Sequence, residues 1–166
     1  MRFAEKQHAG FESNRKTITA TFTVFGGFKV GEQYIIPSRT QTSGLFAMFQ
    51  SASGDNDPIH YDVEYCRQRG HDDMLAHGMQ VMIQTAAGAG AFPSEVADSL
   101  LGMIEVSGKF LCPVYRGNTL YPMLEIVELS EQNTTGVITM RATIHNEDDV
   151  LVFEGTQRYL VRKRSA

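Results

Sequence analysis

The stretch SGDNDPIH, residues 53–60, combines a backbone bend, an acid, a helix start and an imidazole. Asp57 is a good N-cap, and Pro58 suits the first helical position, where the missing N–H would have no partner. The pair predicts a helix over 58–69, in which apolar residues recur at the spacing of one buried stripe. His60 therefore falls in the first turn of that helix.

Asp55 and His60 form a candidate acid–base pair. Asp55 follows Gly54, and a bend at that glycine can aim the carboxylate back at the start of the helix. A positioned carboxylate and imidazole are typical of general acid–base catalysis. The alternative interpretation is that Asp55 and Asp57 are ordinary turn and cap residues, with His60 on the surface of the helix.

A second stretch, LAHGM at residues 75–79, predicts another helix start, with the helix running over 77–91. Gly78 allows a ligand carbonyl to approach free N–H groups at an end of the helix that favours negative charge. His77 is a candidate substrate-binding residue, although a buried, hydrogen-bonded packing role is the preferred interpretation. The small residues of this helix suit a sheet that curls tightly around it.

The two stretches together resemble the signature of the MaoC-like (R)-specific enoyl-CoA hydratases. The pattern SGDxxPIHxD over residues 53–62 is followed, after a short gap, by AHGM at 76–79. The resemblance extends over about 30–163. It implies an α+β hot-dog fold, in which a curved antiparallel sheet wraps a central helix, and it implies a homodimer. The implied reaction is reversible hydration of a trans-2-enoyl-CoA thioester to the (R)-3-hydroxyacyl-CoA.

The resemblance also implies roles for individual residues. Asp55 and His60 would hold the water, and the backbone N–H of Gly78 would donate to the thioester oxygen. Ser53, Asp57 and His77 are carried over as substrate-binding candidates. The family implies no metal, and no cofactor beyond the CoA of the substrate.

One position departs from the family pattern. The family usually has Asn directly before the proline, whereas this chain has Asp57, with Asn56 one place earlier. Asp replaces Asn well as an N-cap, but a carboxylate cannot donate a hydrogen bond as an amide does. We therefore expect the local fold to be kept and the substrate preference to be open.

Length and composition limit the class of protein. The chain has 166 residues, of which 42% are hydrophobic and 20% charged, as expected of one globular domain. We interpret 1–16 as an N-terminal arm and 17–166 as the single domain. The start lacks the apolar core of a signal peptide and no apolar run is long enough to cross a bilayer, so a cytoplasmic location is expected. The net charge of −4 argues against a nucleic-acid partner.

Apolar periodicity predicts the other elements. Strands are predicted over 17–24, 34–36, 101–111, 120–129, 135–144 and 150–161, and an amphipathic helix over 42–53. The buried stripe of that helix is predicted to be Leu45, Met48, Phe49 and Ala52. In the strand at 135–144, Ile138, Met140, Ala142 and Ile144 are predicted inward, with Thr139, Arg141 and Thr143 outward. The four late strands, in series with short turns, predict an antiparallel meander.

Other functions stay open from the sequence. A hot-dog thioesterase, a hydratase for branched or dicarboxylic enoyl-CoA, and a non-enzymatic subunit are the alternatives, and the presence of both Asp55 and His60 disfavours the last. A metal site among His71, Asp72, Asp73 and His77 is disfavoured, because these residues lack a metal-ligand register. Candidate cations for the CoA phosphates are Arg116, Arg158, Arg162, Lys163 and Arg164.

Overall fold

The computed structural model describes residues 25–163. The arm predicted over 1–16 and the strand predicted over 17–24 lie outside these residues. The α-helices are α1 (Ser43–Ser53), α2 (Val63–Arg67), α3 (Gly78–Met82) and α4 (Phe92–Val96). The strands are β1 (Gln33–Ile35), β2 (Arg39–Thr40), β3 (Leu100–Phe110), β4 (Thr119–Glu131), β5 (Thr135–His145) and β6 (Leu151–Arg162). Turns of 3-10 helix occupy Phe25–Gly27, Pro58–His60, Ile83–Thr85, Ala87–Ala89 and Ala97–Ser99.

The strands form a curved antiparallel sheet in the order β1-β4-β5-β6-β3, with β2 also paired to β4. Strands β4, β5 and β6 form a meander as predicted. The prediction that β3 pairs with β4 is wrong, because β3 pairs with β6. The chain after β3 does not return as a hairpin. Instead, Ala76 N–H donates to Val114 O at 2.8 Å and Arg116 N–H donates to Met74 O at 3.0 Å. These bonds hold the chain against the segment before α3. The next strand, β4, then pairs with β5 on the side away from β6.

Strand β5 lies in the middle of the sheet. Its predicted inward residues are buried, namely Ile138, Met140, Ala142 and Ile144. Arg141 is exposed as predicted, but Thr139 and Thr143 are buried, so the outward prediction is wrong for those two. In the pairing with β4 and β6, longer side chains stand beside both threonines on the same face: Glu128 and Arg158 beside Thr139, and Met123 and Glu154 beside Thr143. The hydroxyls of both threonines have no hydrogen-bond partner within residues 25–163.

Helix α1 forms as predicted, with Thr42 as the N-cap and Gly54 as a left-handed C-cap at φ 74°. Its buried face differs from the prediction. Phe46 is buried and Phe49 half-buried, whereas Met48 is 70% exposed. Leu45 is half-buried and Ala52 is exposed, so the stripe is rotated from the predicted one. The ring of Phe46 packs in the core instead and faces the start of α3.

The helix predicted over 58–69 is two separate pieces. Asp57 caps the 3-10 turn Pro58–His60, and its carboxylate accepts from Ile59 N–H at 3.0 Å. Asp62 then acts as a second N-cap, accepting from Tyr65 N–H at 3.0 Å, and α2 begins after it. His60 is thus the last residue of a 3-10 turn and does not lie in an α-helix.

The helix predicted over 77–91 is also interrupted. α3 ends at Met82, and the chain continues as two 3-10 turns separated by Ala86, whose ψ is 114°. Gln157 of β6 donates to Thr85 O at 3.1 Å and so occupies a carbonyl that a continuing helix would use. Within the described residues, none of the helices combines the length and apolar character needed to cross a bilayer.

Candidate active site

The two sequence stretches meet through Leu75. Its N–H donates to Ile59 O at 3.0 Å, and its carbonyl oxygen lies 2.8 Å from Nδ1 of His60. A carbonyl oxygen can only accept, so Nδ1 of His60 carries the hydrogen. In the neutral ring, Nε2 is therefore left as an acceptor.

The carboxylate of Asp55 faces that acceptor. Its Oδ2 lies 3.9 Å from Nε2 of His60, and the side chains are 51% and 13% exposed, respectively. The left-handed Gly54 makes the bend that the sequence predicts, and Asp57 N–H donates to Oδ1 of Asp55 at 3.3 Å. One carboxylate oxygen is thus held by the backbone, and the other is directed at the imidazole across an open gap.

His77 lies beneath this pair and is only 2% exposed. Its ring stacks on that of His60, with centroids 3.7 Å apart and planes inclined by 23°. The ring centroid of Phe49 lies 4.9 Å away, and that of Phe46 lies 6.4 Å away. Nε2 of His77 is 3.2 Å from the backbone oxygen of Asp55, so the ring contacts both members of the candidate pair.

Ser53 and Asp57 are exposed, and their polar atoms serve the local backbone. The hydroxyl of Ser53 donates to Phe49 O at 2.8 Å and accepts from Asp55 N–H at 3.2 Å. The carboxylate of Asp57 caps the 3-10 turn. Both residues therefore shape the loop that carries Asp55.

Gly78 is the first residue of α3, so its N–H has no partner within the helix. A cavity of about 360 Å³ opens beside it. A Cβ at this position would lie 3.2 Å from the ring of Phe110, which explains why a glycine fits here. The cavity is lined by Leu75, Ala76, Gly78, Val81, Phe110, Leu111, Cys112, Pro113 and Val114.

Asp55, His60 and His77 each bring one potential ligand atom within 4.8 Å of the others. A metal lies near the plane of each imidazole that binds it, whereas these two rings are stacked nearly parallel, so their lone pairs run side by side. Nδ1 of His60 and both nitrogens of His77 already face oxygen atoms. The geometry suits hydrogen bonding to water better than metal coordination.

Comparison with known proteins places this chain in a family. Residues 27–149 match the model of the MaoC like domain. The chain belongs to the MaoC-like dehydratase family. Its fold is the hot-dog fold of that family, and the family supports a hydratase or dehydratase activity.

Individual relatives are distant in sequence. A mitochondrial 3-hydroxyacyl-[acyl-carrier-protein] dehydratase of Arabidopsis thaliana is 25% identical over 130 residues, which is 76% of this chain and 74% of the relative. A monoamine oxidase regulatory protein of Archaeoglobus fulgidus has a TM-score of 0.77 and 26% identity, over 87% of this chain and 97% of its own. The (R)-hydratase PhaJ1 of Pseudomonas aeruginosa shares the fold at a TM-score of 0.70 and 20% identity, over 85% and 86% of the two chains.

Sequence reasoning missed three parts of the site. The backbone carbonyl of Leu75 fixes the orientation of the His60 ring. Every residue has a backbone carbonyl, so a sequence motif cannot indicate this contact. Gln80 contacts His77, and its position three residues later on a helix was an available signal. Gln41, which contacts Gln80, lies 39 residues away, and no local pattern indicates it.

Proposed function

We propose that this chain catalyses the reversible hydration of a trans-2-enoyl-CoA thioester to the (R)-3-hydroxyacyl-CoA. The observation that carries the proposal is the 3.9 Å separation of Nε2 of His60 and Oδ2 of Asp55. One water can hydrogen-bond to both atoms at once, because this separation is less than two hydrogen-bond lengths. Membership of a hydratase and dehydratase family supports the reaction class.

The tautomer of His60 suggests how the proton moves. Nε2 accepts a proton from the water as the water oxygen bonds to the β-carbon, while Asp55 orients the same water. Electron density moves from the double bond towards the thioester oxygen. The imidazolium of His60 then returns the proton to the α-carbon. Because both steps use one face of the substrate, the addition is syn.

Gly78 is the proposed donor to the thioester oxygen. Its N–H is unpaired within α3, and the neighbouring residue His77 contacts the Asp55 loop. Because α3 has only five residues, we assign the stabilisation of negative charge on the thioester oxygen to the hydrogen bond from this N–H, and not to a long helix dipole. His77 supports the pair from below, while Ser53 and Asp57 act on substrate binding only through the loop that they shape.

A second cavity, of about 480 Å³, suits the acyl chain. It lies between the interrupted helical segment after α3 and the strands β3 and β6. Its polar wall is already satisfied, because Tyr159 donates to Oε1 of Gln157 at 2.6 Å and Gln157 donates to Oγ1 of Thr85 at 2.6 Å. Burial raises the pKa of Tyr159 to about 12, so this wall is neutral. The cavity favours an unsubstituted hydrocarbon chain over a dicarboxylic one.

We propose a homodimer formed through β3. This strand pairs with β6 on one side and, within residues 25–163, lies at the other edge of the sheet. Long, apolar, exposed edge strands normally pair with another chain. A second copy is the occupant that the family implies. The exposed apolar side chains of β3 are Leu101, Met103, Ile104, Val106 and Phe110.

The site for the CoA phosphates stays a prediction. Arg116 pairs with Asp73, Arg158 with Glu105 and Lys163 with Glu131, so three of the candidate cations already have acidic partners. Arg164 lies outside the described residues. The cytoplasmic location and the lack of a further cofactor or metal also stay predictions.

The experiment is incubation of the purified protein with crotonyl-CoA and with trans-2-octenoyl-CoA. We expect loss of the enoyl absorbance, formation of the (R)-3-hydroxyacyl-CoA and no release of thiol. Release of free CoA thiol would instead identify a thioesterase. Consumption of neither substrate, with the folded protein present, would contradict the proposed substrate class.

A further inference from the structure

Three buried polar side chains link the candidate site to the sheet: His77, Gln80 and Gln41, with 2%, 2% and 0% of their surface exposed. Nδ1 of His77 lies 3.2 Å from Oε1 of Gln80. Gln80 donates from Nε2 to Oε1 of Gln41 at 3.0 Å, and Gln41 donates from Nε2 to the backbone oxygen of Arg39 at 3.3 Å. Nε2 of His77 faces the backbone oxygen of Asp55 at 3.2 Å. The chain of contacts therefore ends on a backbone carbonyl at each end.

The two carbonyls fix the direction of every bond between them, because a carbonyl oxygen only accepts. The oxygen of Arg39 orients the amide of Gln41, which in turn orients the amide of Gln80 and leaves its oxygen facing His77. Nδ1 of His77 must therefore carry a hydrogen, and the carbonyl of Asp55 requires another on Nε2. Reversing the amide of Gln80 would place its oxygen against Oε1 of Gln41, and reversing that of Gln41 would place its oxygen against the carbonyl of Arg39. Either change leaves a buried amide oxygen unpaired at the cost of its desolvation.

We propose that His77 is an imidazolium held by this chain, and that Gln80 and Gln41 are positioning residues that act through it. Asp55 supplies the compensating charge, since one of its carboxylate oxygens lies within 4.8 Å of one ring nitrogen of His77. A buried cation needs such a partner. The other titratable ring that faces His77 is that of His60, stacked at 3.7 Å, while α1 contributes Phe46 and Phe49.

This arrangement bears on the pair that holds the water, and here the inference rests on the proposed hydration. The doubly protonated ring donates to the carbonyl of Asp55 and stacks on His60, so it holds both members of the pair that binds the water. Without the hydrogen on Nδ1, Gln80 would no longer hold the ring, and both contacts would loosen.

Four variants of the full chain separate this inference from a packing effect. Gln80→Met removes the oxygen that requires a hydrogen on Nδ1 of His77. Gln41→Met removes the acceptor that orients Gln80, so the Gln80 amide can reverse and donate to Nδ1 instead. Gln80→Glu keeps an acceptor against Nδ1 and adds a negative charge beside it, but it loses the bond to Gln41. Gln84→Met is the matched control, because Gln84 is buried in the same segment but donates to the backbone oxygen of Gln80 and not to the ring.

The readout is the ¹⁵N NMR signal of the His77 ring in the resting protein at neutral pH, assigned by its loss in His77→Gln. We expect two protonated nitrogens in the wild type, Gln80→Glu and Gln84→Met, and one unprotonated nitrogen in Gln80→Met and Gln41→Met. An unprotonated nitrogen in the folded wild type would overturn the inference. So would two protonated nitrogens in both methionine variants, with folding checked by circular dichroism.

The kinetic arm tests the effect on hydration. We expect Gln80→Met and Gln41→Met to lower kcat by roughly tenfold with KM nearly unchanged. Because the two glutamines act in series, the double variant is expected to lose no more than either single one. A larger, additive loss would show independent packing effects and contradict the inference. The ring signal needs no substrate, so failure of the hydration assay leaves that test standing.

Discussion

Nδ1 of His60 lies 2.8 Å from the backbone oxygen of Leu75, the first residue of the second motif. This bond ties the two motifs together and also sets the tautomer of the imidazole. The remaining nitrogen then faces Asp55. A single backbone carbonyl thus fixes the direction of the imidazole.

This relationship predicts that His60→Asn separates fold from activity. The amide nitrogen of Asn can occupy the place of Nδ1 and keep the bond to Leu75, but nothing replaces Nε2. We expect a normal melting temperature and a fall in kcat of about 10²–10⁴-fold on crotonyl-CoA. His71→Asn is the control, because His71 bonds Tyr115 outside the pair and is expected to keep full activity. Retention of more than about a tenth of the wild-type rate by His60→Asn would contradict the assigned base.

Asp57→Asn, which restores the usual family residue, is expected to have little effect. The Asp57 side chain is exposed and caps Ile59 N–H, and Asn caps equally well. We expect unchanged stability and a rate within a few-fold of the wild type on crotonyl-CoA. Asp57→Ala, in contrast, loses the cap and about 1 kcal/mol of stability. A large gain in rate in Asp57→Asn would show that this carboxylate limits the substrate directly.

The β3 edge predicts the oligomeric state. Ile104 is 51% exposed and lies at a register irregularity between Met103 and Glu105, so it is free of the pairing with β6. We expect Ile104→Glu to convert a dimer into a monomer in light scattering after gel filtration. Val127→Glu is the control, since Val127 is 42% exposed on β4, away from this edge. A wild type that is already monomeric would contradict the proposed interface.

The ion pair of Asp73 predicts a stability difference at acid pH. Burial alone would raise the pKa of Asp73, but the Met74 N–H and Arg116 outweigh it and hold the pKa below its usual value of 3.8. A depressed carboxyl pKa stabilises the fold above the unfolded value, and this contribution is lost as pH falls through the folded value. We expect Asp73→Asn to be less stable than the wild type at neutral pH. Urea unfolding should find the difference shrinking as the pH falls below 3.8, and a constant gap across pH would contradict the assignment.

Local signals in the sequence predicted the strands and the bend at the site well. Alternation gave all four late strands within a few residues, and Gly54 with Asp55 made the expected turn. The errors came from competing local caps and from distant partners. The helix predicted over 58–69 is divided because Asp62 acts as a second N-cap. Apolar periodicity does not indicate which of two possible N-caps begins a helix.

The central helix shows the limit set by tertiary contacts. Gln157 lies 72 residues from Thr85, yet it takes the carbonyl that an uninterrupted helix would need. The pairing of β3 with β6 depends likewise on hydrogen bonds near Val114 that join separate parts of the chain. Local propensity carries no information on either contact. The length of the central helix and the strand order therefore could not be predicted from the sequence.

The most direct test of a water held between Asp55 and His60 compares Asp55→Asn with the wild type on crotonyl-CoA. The enoyl absorbance and free thiol are followed together. Asn can still accept from Asp57 N–H, so the loop is expected to hold, while the carboxylate that orients the water is lost. We predict steady loss of the double bond without thiol in the wild type, and a rate lower by about 10²-fold or more in the folded variant. Equal rates in the two proteins would contradict a water held between Asp55 and His60.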